Sequence, residues 1–147
     1  MKRIIGIDPG LGGGIAVINP DGSATAMLMP PESDIAEYLS GFAANTYVYI
    51  ENLPVGGMPG NFSGMAKLHR NYGFCLGVLS ALNIRTVLVR PQLWQKGIPG
   101  VEGKKGVKRK RALKEQASRL FPHVKVTLKN ADALLIAEYG RCDVDVE

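Results

Sequence analysis

Three acidic residues occupy positions from which a folded chain could bring their side chains together. Asp8 ends an apolar run in Ile-Gly-Ile-Asp-Pro-Gly, Glu51 ends another in Tyr-Val-Tyr-Ile-Glu-Asn, and Asp132 opens Asp-Ala-Leu-Leu-Ile-Ala. Ligands of open α/β sheets gather where the strands end, so these side chains are expected at one edge of a sheet. Converging carboxylates would bind a hard cation such as Mg²⁺, which prefers oxygen ligands. One or two such ions could support the hydrolysis of a phosphodiester.

Each of these acids also has an ordinary structural explanation. Asp8 precedes a proline and could satisfy N–H groups in a turn. Glu51 could be a solvated strand end, and Asp132 could complement the positive end of a helix. The three residues together, on three separate elements, favour a metal site over these separate roles.

The elements that position these residues follow from apolar runs and turn signals. Strands are predicted at 2–8, 14–19, 24–29, 47–50 and 85–89. Helices are predicted at 33–43 with Ser33 as the N-cap, at 63–82, as one turn at 91–94, at 107–120 and at 131–139. A loop is predicted at 52–61 and a flexible loop at 96–106, which contain three and four glycines.

This order of elements predicts the α/β class. The first three strands should pair antiparallel, and the later strands, which alternate with helices, should run parallel. The result is a mixed five-stranded sheet with helices on both faces. No internal repeat or linker divides the chain, so we expect one domain over residues 1–147.

The charge of the chain is unevenly distributed. The 147 residues include 18 Lys and Arg against 13 Asp and Glu, a formal net charge of +5. Residues 96–119 alone hold nine basic and two acidic residues, which is +7, whereas the rest of the chain sums to −2. A basic segment rich in glycine suggests phosphate binding, although a solvated face would have the same composition. The acidic tail at Asp143, Asp145 and Glu147 is expected to fray.

Several classes of protein are disfavoured. The chain is 46% hydrophobic and 21% charged, which is ordinary globular composition. The longest apolar stretch, at 74–82, is too short for a membrane span, and no signal-peptide core follows the N-terminus. Cys75 and Cys142 provide neither a disulfide framework nor a zinc site. The simplest expectation is a protein of the reducing cytoplasm.

Three segments of the chain resemble the RuvC family of Holliday-junction resolvases, and most of all the compact bacteriophage forms. They are Gly6-Ile7-Asp8-Pro9-Gly10, Tyr49-Ile50-Glu51 and Ala131-Asp132-Ala133-Leu134-Leu135-Ile136-Ala137. The resemblance extends from Ile4 to about Gly140 and implies an RNase H-like fold. Actin-like ATPases also begin with an aspartate and glycines after a strand, but they need two such domains.

The resemblance implies a structure-selective DNA endonuclease of recombination and repair, in the cytoplasm of a bacterium or a phage-infected host. Asp8, Glu51 and Asp132 would be the catalytic metal ligands for one or two Mg²⁺ ions, for which Mn²⁺ would substitute. A homodimer would cut a four-way junction by paired symmetric nicks that leave 5′-phosphate and 3′-hydroxyl ends. The helix at 63–82, with Gly73 and Gly77 four residues apart, is either the dimer interface or plain core packing.

One position departs from the family pattern. Most members carry a fourth acidic or histidine ligand three residues before the last aspartate, where this chain has Lys129. Asn130 or a backbone carbonyl is a possible replacement. Lys129 also keeps open a binding module that has lost its chemistry, and a related nuclease acting on RNA or replication forks remains a further alternative.

Basic and aromatic residues complete the predicted DNA contacts. Lys108 and Lys110 are candidate catalytic residues, because family members place a lysine near the scissile phosphate in this region, and Arg111 lies in the same region. Phe62 could stack on an unpaired base or staple the following helix. Trp94 is expected to be a core residue with a polar edge. The remaining predicted DNA-binding residues are Lys67, Arg70, Lys104, Lys105 and Arg109, together with Lys108, Lys110 and Arg111.

Overall fold

The computed structural model describes residues 2–42, 45–54 and 62–146, and its centre is a mixed β-sheet. The strands of the described chain are β1 (Arg3–Asp8), β2 (Gly14–Ile18), β3 (Ala24–Leu28), β4 (Thr46–Glu51) and β5 (Arg85–Val89). Their order is β3-β2-β1-β4-β5, with β1 to β3 antiparallel and β4 and β5 parallel to β1. The predicted mixed five-stranded sheet is confirmed.

Helices cover both faces of this sheet, as predicted. They are α1 (Glu32–Ser40), α2 (Phe62–Ala81), α3 (Pro91–Trp94), α4 (Gly106–Leu120) and α5 (Ala131–Val146). Residues of α1 and α2 form one apolar cluster with the sheet, whereas α3, α4 and α5 contribute to the cluster on the other face. No helix in the described ranges combines the length and the hydropathy needed to cross a membrane.

The beginning of α1 differs from the prediction. The helix starts at Glu32 after Pro31, and no side chain caps it. The backbone carbonyl of Pro31 accepts the first helical bonds instead, and the Ser33 hydroxyl lies 3.1 Å from a carboxylate oxygen of Asp34. Ser33 is therefore not the N-cap. The predicted end of this helix, at residue 43, lies outside the described residues.

The last helix is longer than predicted. Instead of ending at residue 139 before a frayed tail, α5 continues to Val146. The hydroxyl of Tyr49 donates a hydrogen bond of 2.8 Å to Asp143, and Arg141 pairs with Glu138 at 2.6 Å and with Asp145 at 3.6 Å. A contact with a strand far away in sequence thus holds the acidic segment in the helix.

Of the two predicted loops, the structure describes the second completely and the first only in part. Residues 55–61 of the first loop lie outside the described residues. The second, between α3 and α4, is a series of turns in which Val101 is buried against the core. Its glycines have φ angles between +58° and +78°, a region that L side chains rarely adopt. These residues are Gly97, Gly100 and Gly103 of the turns and Gly106, the first residue of α4.

A very close contact between a helix and the sheet lies at Gly6 in the middle of β1. A Cβ atom at this position would overlap the backbone of Ala133 and Ala137 in α5. The missing side chain therefore allows the backbone of α5 to lie directly on β1. This contact sets the distance between the end of β1 and the first turn of α5.

We predict that Gly6→Ala lowers the free energy of unfolding by about 1–3 kcal/mol, the usual effect of overpacking a well-packed core. Urea denaturation would measure the change. Gly41→Ala is the matched control, because its Cβ would only make an ordinary contact of 3.4 Å with the Tyr38 carbonyl. Equal effects of the two substitutions would contradict the proposed role of the Gly6 contact.

Candidate active site

Asp8 and Glu51 lie side by side at one edge of the sheet. They end the neighbouring parallel strands β1 and β4, in which Ile7 is paired with Ile50. Asp132 lies in the first turn of α5 and is buried. Since α5 packs on β1 at Gly6, this first turn comes close to Asp8. The structure thus brings together the three carboxylates that the sequence singled out.

Burial and neighbouring charge raise the pKa values of two of these carboxylates, Asp8 and Glu51. Burial, followed by the charges of Asp132 and Glu51, raises the pKa of Asp8 from 3.8 to about 8, against an opposing effect of Lys110. Burial also raises the pKa of Glu51, and the charge of Asp132 adds to this. Close carboxylates in a confined site resist simultaneous ionisation, so the cluster favours binding of positive charge.

Lys110 provides one positive charge within the cluster. Its ammonium nitrogen lies 2.9 Å from Oδ2 of Asp132. Burial lowers the pKa of Lys110, but the charges of Asp132 and Asp8 and the hydrogen bond to Asp132 outweigh this effect and raise it. Lys110 is therefore a charged lysine at the carboxylates, whereas Lys108 is exposed on the same helix.

Trp94 fixes the orientation of Glu51. Its indole N–H donates a hydrogen bond of 2.8 Å to Oε2 of Glu51, and this bond counteracts the rise in the pKa of the carboxylate. The tryptophan is only 2% exposed, so the predicted core residue with a polar edge is confirmed. The sequence did not reveal that its polar edge faces Glu51.

Asn71 is a buried residue that the sequence analysis missed. Its Oδ1 accepts a hydrogen bond of 2.7 Å from the backbone N–H of Gly10, which ties the turn after Asp8 to α2. Asn71 lies on the buried face of α2 with Cys75 and Leu79, at intervals of four residues. A lone amide on an otherwise apolar face was the signal that could have identified it.

The turn before α5 uses the side chain of Asn130. Its Oδ1 accepts a bond from Thr127 N at 2.8 Å, and its Nδ2 donates to the Lys125 carbonyl at 3.1 Å. Both amide atoms thus hold the backbone, which leaves Asn130 poorly suited to replace the fourth ligand. Lys129 is exposed.

The cluster matches a divalent cation in donor type and charge. All its donors are carboxylate oxygens, and Oδ1 of Asp132 is buried with no hydrogen-bond partner in the part of the chain that the structure describes. The second oxygen of Asp132 and one oxygen of Glu51 are bonded to Lys110 and Trp94. Within the described ranges, no three acidic, histidine or cysteine side chains form a ready-made metal cage.

A cleft of about 430 Å³ opens beside Asp8. The turn after β1 forms one wall, and Lys67 on α2 and Lys110 on α4 also line it. Gly10 and Gly13 bring the backbone close to this cleft. A strand of phosphodiesters entering it would meet the Asp8 carboxylate and two cations.

The other predicted DNA-binding residues do not line this cleft. Arg70 points to α1, where its guanidinium pairs with Glu32 at 2.8 Å. Phe62 is 84% exposed at the start of α2. Arg109 is partly buried, and its charge lowers the pKa of Glu51. The remaining members of the basic segment are exposed, namely Lys104, Lys105, Lys108 and Arg111.

Comparison with known proteins identifies the fold. No family model matches the sequence, and no curated protein matches it significantly. The structure is similar to T. thermophilus RuvC in complex with a Holliday junction substrate, with a TM-score of 0.70, 16% identity, and coverage of 99% of this chain and 96% of that chain. A second structure of Thermus thermophilus RuvC gives a TM-score of 0.63 at 16% identity, covering 98% and 96%. The chain therefore has the RNase H-like fold of the RuvC Holliday-junction resolvase structures.

Proposed function

We propose that this protein is a metal-dependent DNA endonuclease that resolves four-way junctions by paired symmetric nicks. The observation that carries the proposal is the buried cluster of Asp8, Glu51 and Asp132 with Lys110 at its edge. The fold shared with a resolvase bound to junction DNA supports the choice of substrate. The nuclease would be a single domain over residues 1–147, acting in the cytoplasm of a bacterium or a phage-infected host.

The three carboxylates would hold Mg²⁺, with one or two ions for each site and Mn²⁺ as a substitute. When bound, such an ion would lower the pKa of water and stabilise the leaving oxygen. The resemblance to the resolvases implies that cleavage would leave 5′-phosphate and 3′-hydroxyl ends. The buried Oδ1 of Asp132, which has no hydrogen-bond partner among the described residues, is one donor that could bind the ion. An ion would also offset the repulsion that raises the pKa of Asp8.

Other side chains at the site would neutralise charge on the phosphate and orient the carboxylates. Lys110 is positioned to neutralise charge that develops on the scissile phosphate. Trp94 holds one oxygen of Glu51 in place, and Asn71 fixes the turn that follows Asp8. These contacts keep the carboxylates oriented, which reduces the reorganisation needed during the reaction.

DNA would be held mainly by the basic segment and the cleft wall. Lys67 lies in the cleft itself, and Phe62 is exposed enough to stack on an unpaired base. Arg70 forms an ion pair with Glu32. To contact DNA, it would have to break this ion pair or bind Glu32 and a phosphate at the same time. The exposed residues Lys104, Lys105, Lys108 and Arg111 would supply most of the contacts to phosphates, and the partly buried Arg109 would bind the DNA beside them.

We further propose a homodimer that uses α2. Gly73 and Gly77 are exposed, and nothing lies within 4 Å of where their Cβ atoms would be. These glycines therefore do not serve packing within the described part of the chain, and they leave a flat helix face for a second copy. A two-fold dimer would present two sites to the two strands of a junction.

A junction-binding protein without catalysis is the second candidate function. The exposed Lys129 and the lack of a ready-made three-ligand cage among the described residues favour it. Retention of the three carboxylates in one cluster favours the enzyme. Tight junction binding without cleavage in Mg²⁺ or Mn²⁺ would decide for the binding protein.

We predict that the purified protein nicks a synthetic four-way junction in Mg²⁺ but leaves a linear duplex of the same sequence, a flap and an RNA–DNA hybrid intact. Asp8→Asn should abolish cleavage and leave junction binding nearly unchanged, because it removes a metal ligand without adding positive charge. Asp34→Asn is the matched control, since Asp34 is exposed on α1. Cleavage by Asp8→Asn at the wild-type rate would refute the metal-site assignment. Preferential cleavage of the RNA–DNA hybrid would show instead that the protein is a nuclease acting on RNA.

We predict that the metal-free protein loses stability as pH rises from about 4 to about 8. In this range, folded Asp8 retains a proton that the unfolded chain releases, because its pKa is raised from 3.8 to about 8. The native state then binds more protons than the unfolded state, so stability falls with pH. Melting temperatures measured in EDTA would show the slope.

Asp8→Asn should flatten this pH dependence, and Mg²⁺ should raise the melting temperature of the wild type most at the alkaline end. Asp34→Asn should keep the wild-type slope. A wild-type slope that Asp8→Asn leaves unchanged would show that Asp8 is not the group responsible.

We predict that the salt dependence of junction binding comes mainly from the basic segment. Each lost phosphate contact should reduce the slope of log K against log salt by about 0.9, so Lys105→Ala with Arg111→Ala should reduce it by about 2. Lys2→Ala with Arg3→Ala is the control, because these residues are at the other end of β1 and bond to Tyr47 and Asn19. Equal changes in slope for the two pairs would contradict the prediction.

A further inference from the structure

A second concave surface lies next to the carboxylate cluster and shares no lining residue with the cleft at Asp8. It has a volume of about 740 Å³, within the usual range of small-ligand sites. We call it the α3–α4 groove, because α3, the following turns and the start of α4 enclose it. Its lining includes Gln92, Gln95, Lys96, Ile98, Lys104 and Arg109.

Within the described ranges, Arg109, which lines this groove, has an unpaired hydrogen-bond donor in its guanidinium group. Its Nε is buried and has no hydrogen-bond partner among the described residues. A buried donor that stays unpaired is costly, so a small shift of the Arg109 side chain toward an acceptor in the groove would be favoured. The charge of Arg109 also reaches Glu51 and lowers the pKa of that carboxylate, which places the guanidinium near the cluster.

The groove and the cluster are joined through α3. Trp94 donates to Glu51, while Gln95, which follows it in the chain, and Gln92, two residues before it, line the groove. On the other wall, Arg109 directly precedes Lys110, which pairs with Asp132. A DNA strand with its phosphate at the carboxylates would therefore have an adjacent nucleotide within reach of the groove.

We propose that the α3–α4 groove binds one unstacked purine nucleotide of the DNA strand, next to the phosphate at the carboxylates. The proposal rests on the proposed nuclease function and adds a base preference to it. Arg109 would donate to N7 and O6 of guanine, or a glutamine amide would pair with N7 and N6 of adenine. Lys96 and Lys104 would contact the flanking phosphates.

The lining favours a whole nucleotide over a simple anion. Three cations, Lys96, Lys104 and Arg109, face a single acid of the groove, Glu102. The two glutamine amides have donors and acceptors that a phosphate alone would not need. Ile98, which packs against the core, offers an apolar contact for the face of a base.

Binding of short single strands tests the groove without requiring cleavage. The probes are the trinucleotides d(TGT), d(TAT), d(TCT) and d(TTT), titrated against the metal-free protein at low salt. Amide chemical shifts and the fluorescence of Trp94, the single tryptophan of the chain, would report binding. We expect d(TGT) or d(TAT) to bind about fivefold or more tightly than the pyrimidine probes, with shifts concentrated in residues 92–109.

Two changes should remove this preference. Replacing the purine by its 7-deaza analogue deletes the N7 acceptor, and Arg109→Lys keeps the charge but loses the planar donors. Gln95→Ala is a second variant, should Arg109→Lys not fold. Lys105→Ala, at an exposed residue outside the groove lining, should weaken all four probes equally.

The possible outcomes test the groove proposal and the nuclease proposal separately. Equal affinity for all four probes, or an undiminished preference in both Arg109→Lys and Gln95→Ala, would overturn the groove assignment even if junctions are cleaved. A purine preference in a protein that cleaves no junction would instead support the groove and reject the nuclease.

Discussion

The arrangement of the candidate site depends on one close contact, the backbone of α5 lying on β1 at Gly6. Because no side chain separates them, the helix and the strand approach to backbone distance at Ala133 and Ala137. The first turn of α5 is then held beside the end of β1, and Asp132 reaches Asp8. A larger residue at position 6 would move the whole helix, and one of the three carboxylates with it.

That contact places carboxylates close together in a buried site, and side chains of the neighbouring helices partly offset their repulsion. Two carboxylates enclosed by the same packing repel each other, and burial deprives them of water, which is why the pKa of Asp8 rises. α4 packs against α5 and supplies Lys110 to Asp132, and α3 supplies the indole N–H to Glu51. Oδ1 of Asp132 is buried and has no hydrogen-bond partner among the described residues, so the proposed cation would be a favourable partner for it.

Buried amides play a different part in the structure from the carboxylates. Asn71 holds the turn after β1 from the α2 side, and Asn130 closes the turn before α5 with both of its amide atoms. Each fixes the backbone next to a carboxylate, Asp8 in one case and Asp132 in the other. The two asparagines lie on opposite faces of the sheet. Each therefore stabilises, from its own face, the backbone segment that carries one of the two aspartates.

Much of the fold was predictable because its signals are local. Apolar runs that end in turn residues predicted the strands, and their alternation with helices predicted which pairs run parallel. Neighbouring parallel strands end at the same edge, so Asp8 and Glu51 were expected together. The helix ends were predicted less well: α5 extends to Val146 because Tyr49 bonds to Asp143, 94 residues away in sequence.

The sequence by itself determined the sheet, its mixed topology and the identity of the three acids, since hydrophobic periodicity and strand-end position are properties of short segments. Only the tertiary structure decided that Lys110, among the basic residues of its segment, lies at Asp132, and that Trp94 bonds to Glu51. It also decided that Asn130 holds backbone and that Arg109 faces a groove. These pairings join residues distant in sequence, so they depend on how helices pack on the sheet, which no local pattern encodes.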